Sequence, residues 1–284
     1  MMRNLGITAL RKITVVASFI AITAGCAIAG NPSPSPVPER LPGYLTSVTA
    51  PNSEMLLPPP PAAGSAALAL DQDINRNGMT LRDTPRWALA TQDADLTFPA
   101  AAGAFSCTLN IPISEQETPH IYRLLRRVLS DTNLATSKAK NKYIRTRPFV
   151  TNKERTCTPN DEQYLMKNGS YPSGHTTVGW AWALILSEIS PEQADAILAR
   201  GRAFGQSRVI CNVHWQSDVI EGRFVGAATV ARLHSDPLFR VDLESAKSEI
   251  AAVRAKGLKP GRDCKAEAAA LAEYPPQAPW PANK

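Results

Sequence analysis

The chain has 284 residues, 44% of them hydrophobic and 20% charged, with a formal net charge of +6. That length supports one sizeable domain with a hydrophobic core of its own. Three of the excess cations, Arg3, Arg11 and Lys12, sit in a basic start; without them the +6 falls to +3, too weak a bias to argue for nucleic acid.

The basic start precedes an apolar run from Ile13 to Ile22 and the small-residue sequence Ala27-Ile28-Ala29. This is the layout of a secretory signal peptide over residues 1–29, cleaved after Ala29. The run is short for a membrane span. Ala24-Gly25-Cys26 resembles part of a lipoprotein cleavage site, but Thr23 stands where that signal usually has an aliphatic residue, so anchoring at Cys26 is the lesser alternative. Removal of the signal leaves Cys107, Cys157, Cys211 and Cys264. An even number in an exported chain predicts two disulfides, among three pairings that sequence leaves open, with buried free thiols as the alternative.

Residues 30–64 are proline-rich, which favours extended backbone: a linker, or a segment that wraps on the domain surface. From Ser65 the texture turns helical. Ser65 to Gly78 is rich in Ala and Leu and ends at a glycine. Thr84-Pro85 and Thr118-Pro119 each read as an N-cap followed by proline at the first helical position. After Thr118, Ile121, Leu124, Leu125, Val128 and Leu129 share one face. Ser190-Pro191-Glu192 opens another helix through Ala194, Ile197, Leu198 and Phe204. His214 to Leu233 reads as one long helix and Leu238 to Lys256 as an amphipathic one. Ala266 to Ala272 reads as a packing helix. No strand alternation is convincing and no later segment is apolar enough to cross a membrane. The expected fold is all-α, a single-domain helical bundle over residues 65–272, with a proline-rich tail at 273–284.

Three stretches are rich in groups that handle a phosphate. In the first, a helix from Lys140 to Arg147 would place both cations on one face, with Pro148 ending it and Arg145 in solvent. In the second, Pro172-Ser173-Gly174 reads as a turn with helical sequence from His175 or Thr176. Free N–H groups at a helix start suit an anion, Gly174 permits close approach, Ser173 adds a hydroxyl, and His175 is placed to protonate a leaving oxygen. In the third, His214 and Asp218 would share a helix face, so that the carboxylate fixes the imidazole tautomer and turns the other nitrogen outward as a nucleophile. Arg208 offers a fork of donors for phosphate oxygens. Together these supply one reaction: Lys140, Arg147 and Arg208 neutralise the phosphoryl oxygens, Ser173 and the Gly174 N–H orient them, His214 attacks phosphorus, and His175 protonates the leaving alcohol. With ordinary histidine behaviour, activity should form a bell between roughly pH 5 and 7.

Lys140-x6-Arg147-Pro148, Pro172-Ser173-Gly174-His175 and Ser207-Arg208-x5-His214-x3-Asp218, in this order, resemble the signature of the type 2 phosphatidic acid phosphatase superfamily. The string Gly169 to Thr176, with flanks at Leu57 to Ser65 and Gly205 to Cys211, resembles its soluble branch, the bacterial class A non-specific acid phosphatases, over roughly residues 55 to 245. The resemblance implies an all-α fold, a periplasmic location, no metal, and broad action on phosphomonoesters, with phosphate transfer to nucleosides in some members. The alternatives are a vanadate-dependent haloperoxidase and a non-catalytic phosphate-binding module. No cofactor is expected, and a metal centre is rejected because the cations around His175 and His214 would repel one. The expected partners are small phosphomonoester substrates, with no nucleic acid and, after signal cleavage, no membrane; a homo-oligomer is left open. His120 and His234 read as surface residues or caps, Trp180, Trp182 and Trp215 as core or pocket wall, and Tyr171 as a candidate for the pocket mouth.

Overall fold

A computed structural model describes residues 41–274; the expected signal peptide, the lipidation alternative at Cys26 and most of the proline-rich tail lie outside them. Among the described residues the regular structure is entirely helical, as the sequence predicts. Its α-helices are α1 (Ser53–Leu56), α2 (Ala66–Gly78), α3 (Pro85–Gln92), α4 (Ser106–Leu109), α5 (Pro119–Tyr143), α6 (Pro148–Asn152), α7 (Glu162–Leu165), α8 (Gly174–Ile189), α9 (Ala194–Ile210), α10 (Gln216–Leu233), α11 (Pro237–Ala255) and α12 (Cys264–Glu273). None is long and apolar enough to cross a membrane.

Helix α8 is the centre of the bundle, packed by α9, α10, α5 and α11. Its Val178, Ala181, Trp182, Ile185 and Leu186 are fully buried, and Trp182 satisfies its indole N–H on the Leu125 carbonyl at 3.0 Å. The predicted face of α5 is buried throughout, Ile121 to Leu129. Ser65 and Thr84 cap α2 and α3 with their side chains. Thr118 does not cap α5: its hydroxyl turns back to Ser114, and the Glu249 carboxylate of α11 takes the N–H groups of His120 and Ile121, each at 2.9 Å. A tertiary partner thus replaces the local cap.

Residues ahead of α2 lie along α5. Asp131 accepts the N–H groups of Tyr44 and Leu45, Arg127 donates to the Pro42 and Gly43 carbonyls, and the Ser53 hydroxyl accepts the Ala139 N–H. Leu57 is buried with Ala135, Ala139, Tyr171 and Val225. Tyr171, only 1% exposed, donates its hydroxyl to the Pro58 carbonyl at 2.7 Å; it is a buried tie rather than part of a pocket mouth. The cysteines pair as Cys107–Cys264 and Cys157–Cys211, so the thiols are not free.

Several helix boundaries differ from the sequence reading. Helix α5 stops at Tyr143 because Ile144 takes a left-handed conformation (φ 41°) and closes the end on the Lys140 carbonyl. Arg147 is then extended (φ −77°, ψ 155°), as the residue before a proline must be, and Pro148 opens α6 instead of ending α5. Lys140 and Arg147 therefore do not share a helix face. Nor is His214 helical: α10 begins at Gln216, because Asp218 in its first turn accepts the Trp215 N–H at 2.9 Å, and left-handed Asn212 (φ 63°) turns the chain just before. Helix α8 begins at Gly174, ahead of the predicted start at His175 or Thr176.

Candidate active site

Four segments meet at the N-terminal ends of α8 and α10. The Ser173 N–H donates to the Asp218 carbonyl at 2.9 Å, which ties the start of α8 to the first turn of α10. Gly222 makes this approach feasible: a Cβ there would lie 2.7 Å from the Ser173 carbonyl oxygen. The Gly169 carbonyl accepts from Lys140 Nζ at 2.9 Å and from Arg147 Nη2 at 3.4 Å, so one oxygen gathers cations from two segments. Gly169 is hemmed in as well, since a Cβ would meet the Lys140 carbonyl at 2.8 Å.

His214 is buried, with Nε2 3.1 Å from Arg147 Nη1 and Nδ1 3.3 Å from Asp218 Oδ2. A guanidinium only donates. Nε2 therefore presents its lone pair and Nδ1 carries the proton, given to Asp218. The predicted partnership of His214 and Asp218 is present, built by a turn rather than by a shared helix face. The remaining donors of Arg147 go to the carbonyls of Leu165, Asn168 and Val213.

Arg208 is 2% exposed, and its Nε and Nη1 have no hydrogen-bond partner in the protein. The charge of Arg147 and above all burial lower its pKa to about 9. Burial, then Arg147, bring Lys140 down to about 7, and burial brings Arg147 to about 10. Burial and the charges of Arg147, Lys140 and Arg208 hold His214 well below its ordinary value.

His175 sits at the start of α8, its Nε2 2.9 Å from the Ala94 carbonyl. That carbonyl fixes Nε2 as the N–H and leaves Nδ1 for a transferable proton. Burial and Arg208 hold the ring well below its ordinary value. The Ala94 backbone follows Asp93, whose carboxylate pairs with Arg200 at 2.5 Å and accepts the Ser207 hydroxyl at 2.6 Å, all buried. Ser173 is the N-cap of α8: its oxygen accepts from the Thr176 N–H and hydroxyl, leaving its own proton to donate. Lys140 Cε lies 3.7 Å from where a Cβ on Gly174 would be, which brings that lysine to the same helix start.

The residues given a part in the reaction from sequence thus gather at one place. Arg145, expected in solvent, is instead in the wall: its guanidinium lies 2.6 Å from Asp218 and 2.8 Å from Asp71. The Arg145-x-Arg147 spacing before Pro148 was the available signal. Asp71 and Ala94 lie on segments far from the motifs and carry no local signal. His120 and His234 lie away from the site, the latter paired with Glu188. Among the described residues, no three His, Cys, Asp or Glu side chains group as metal ligands.

The sequence pattern of the PAP2 superfamily matches residues 126–241, which include every motif position from Lys140 to Asp218. The chain is 48% identical to a non-specific acid phosphatase of Providencia stuartii over 212 residues, 74% of this chain and 86% of that protein. It is 44% identical to a non-specific acid phosphatase of Salmonella typhimurium over 200 residues, 70% of this chain and 80% of that protein. It is 38% identical to an acid phosphatase of Zymomonas mobilis over 243 residues, 85% and 92% of the two chains.

Proposed function

The chain belongs to the PAP2 superfamily, and from that premise we propose that it is an acid phosphatase acting on small phosphate monoesters of broad range through a phosphohistidine on His214, without a metal. The observation that carries this reading is the buried guanidinium of Arg208 with two unpartnered donor positions, in a pocket whose histidine presents a locked lone pair. An interior cation short of acceptors calls for an anion.

In the proposed reaction the ester's phosphoryl oxygens take hydrogen bonds from Lys140, Arg147, Arg208, the Ser173 hydroxyl and the Gly174 N–H. Nε2 of His214 attacks phosphorus as the bond to the ester oxygen breaks, and the departing oxygen takes from Nδ1 of His175 the proton that the ester, bound as its monoanion, has placed there. Asp218 supports the positive charge growing on the His214 ring. Water then attacks phosphorus, His175 takes its proton, the phosphorus–nitrogen bond breaks, and phosphate leaves with His214 restored. An alcohol in place of that water makes the same sequence a phosphotransfer. Export to the periplasm or medium after signal cleavage accords with the two disulfides, with lipid anchoring at Cys26 as the lesser alternative.

Release of p-nitrophenol from its phosphate ester near pH ~6, with EDTA present, tests the core of this. Wild-type turnover that survives EDTA and disappears in His214→Ala supports a metal-free histidine nucleophile. A folded wild type without turnover refutes it.

A further inference from the structure

Asp218 orients His214, and a second pair of buried residues orients Asp218. Its Oδ2 accepts from His214 Nδ1 and from the Trp215 N–H, while its Oδ1 accepts from Arg145 Nη1 at 2.6 Å. The same Nη1 donates to the Ser217 hydroxyl oxygen at 2.7 Å, and Nη2 donates to Asp71 Oδ2 at 2.8 Å. Ser217 closes the ring: its N–H donates to Asp71 Oδ1 at 2.8 Å and its hydroxyl to Oδ2 at 2.5 Å. The side chains of Arg145, Asp71 and Asp218 are 9%, 4% and 0% exposed. Asp71 belongs to α2, Arg145 to the turn after α5, and Ser217 and Asp218 to α10.

The charges in this ring have a definite logic. A carboxylate behind an imidazole stabilises the positive charge that the ring gains as its far nitrogen attacks. Arg145 alone would fix the position of Asp218 but cancel that charge. Asp71 adds a second carboxylate on the far side of Arg145, so the three groups together keep a net negative charge toward His214. Fixed geometry and preserved charge require both residues. The backbone of Arg145 adds a further tie, since its carbonyl accepts the Ser170 N–H at 2.9 Å, in the turn leading to Ser173.

We infer that Arg145 and Asp71 are positioning residues for hydrolysis: Arg145 sets the carboxylate of Asp218 against His214, and Asp71 maintains the negative charge that Arg145 would otherwise neutralise. The inference rests on the phosphatase reading and deepens it. Neither residue touches the phosphate site, so their effect should fall on kcat and leave phosphate binding intact.

The experiment measures kcat, KM and inhibition by inorganic phosphate for the wild type, Asp71→Asn, Arg145→Lys, Asp218→Asn and the double variant Asp218→Asn/Arg145→Lys, with thermal unfolding as the folding control. Loss of an outer partner of a reactive group typically reduces activity roughly 10- to 100-fold, and that fall is expected in kcat for each of the first two variants, with phosphate inhibition unchanged. Once Asp218 is Asn, Arg145→Lys should reduce kcat little further, because its effect passes through that carboxylate. Asp71→Glu should recover part of the loss. If Asp71→Asn does not fold, Ser217→Ala, which removes the bridging hydroxyl, should lower kcat in the same direction by less. Losses in kcat and phosphate binding that run in parallel, or effects of Arg145 and Asp218 that simply multiply, overturn the inference. A wild type that releases no p-nitrophenol overturns the phosphatase reading beneath it.

Discussion

Arg208, Lys140 and Arg147 share one small interior region, and the first lacks acceptors for two of its nitrogens. Interior cations held close together lower one another's pKa, and Lys140 is the one that comes within reach of neutral pH, at about 7. Its folded value lies below the ordinary one, so the lysine is charged in acid and becomes neutral as pH rises through about 7. His214, also depressed, stays neutral far into the acid range and keeps its lone pair. His175 is held low as well, and on the proposed mechanism a phosphate monoester with its second pKa near ~6 brings the missing proton when it binds as the monoanion. Two differences from ordinary histidine titration follow. The acid limb of kcat/KM should lie well below pH ~6.5. The alkaline limb should begin near pH ~6 as the substrate loses its second proton and steepen through about pH 7 as Lys140 discharges. In Lys140→Arg the steeper upper part should disappear and leave the single slope set by the substrate, because arginine stays charged throughout; a pH profile that keeps the steep upper part refutes the assignment to Lys140.

Among the elements, the helices and the chemistry were legible to different degrees. Apolar spacing marked α5, α9 and α11, and Thr84-Pro85 announced α3 because an N-cap is a local device, whereas Thr118-Pro119 marked the start of α5 without supplying its cap. The residues that gather at the candidate site were legible through their types and order, which matched a family pattern as a set. Their backbone was not. Wheel reasoning put Lys140 with Arg147 and His214 with Asp218 on common helix faces, whereas left-handed Ile144 and Asn212 put turns there. Those conformations belong to an exposed β-branched residue and to an asparagine held by the side chains of Asn75 and Asn152, and periodicity reports neither. Arg145 was misplaced for the same reason, since its partner Asp71 is distant in sequence. The close crossing of α8 and α10 gives a direct test. In Gly222→Ala the new methyl group would press on the Ser173 carbonyl. Overpacking of this kind costs about 1–3 kcal/mol. Thermal unfolding should register that loss, and kcat should fall with it because Ser173 moves; unchanged values in both would mean the crossing is looser than described.

For the whole molecule, long-range ties act where small elements could not hold themselves. Residues 41–58 run along α5 and end on Tyr171, close before the turn at Ser173. The Cys157–Cys211 bond braces the chain just ahead of Asn212 and His214, while Cys107–Cys264 joins α4 to the start of α12 across a sequence separation of 157 residues. A closure that long restricts the unfolded chain strongly, and removal of such a bond typically lowers stability by roughly 2–4 kcal/mol. Cys264→Ser should therefore unfold at lower denaturant concentration while keeping wild-type kcat at 25 °C, because α12 contributes no residue to the pocket. A loss of kcat in the folded variant would show that α12 acts on the site, through the Glu267–Arg200–Asp93 contacts that support Ala94.

The unpartnered donors of Arg208 have one more consequence. On the phosphatase reading, what they grip is the part that an ester and free inorganic phosphate have in common, so the pocket holds what it releases by the same contacts as what it takes in. Output then restrains input. Catalysis slows as product accumulates and recovers as the surroundings are depleted, which makes the ambient phosphate level itself the throttle, without a second binding site or a change of shape.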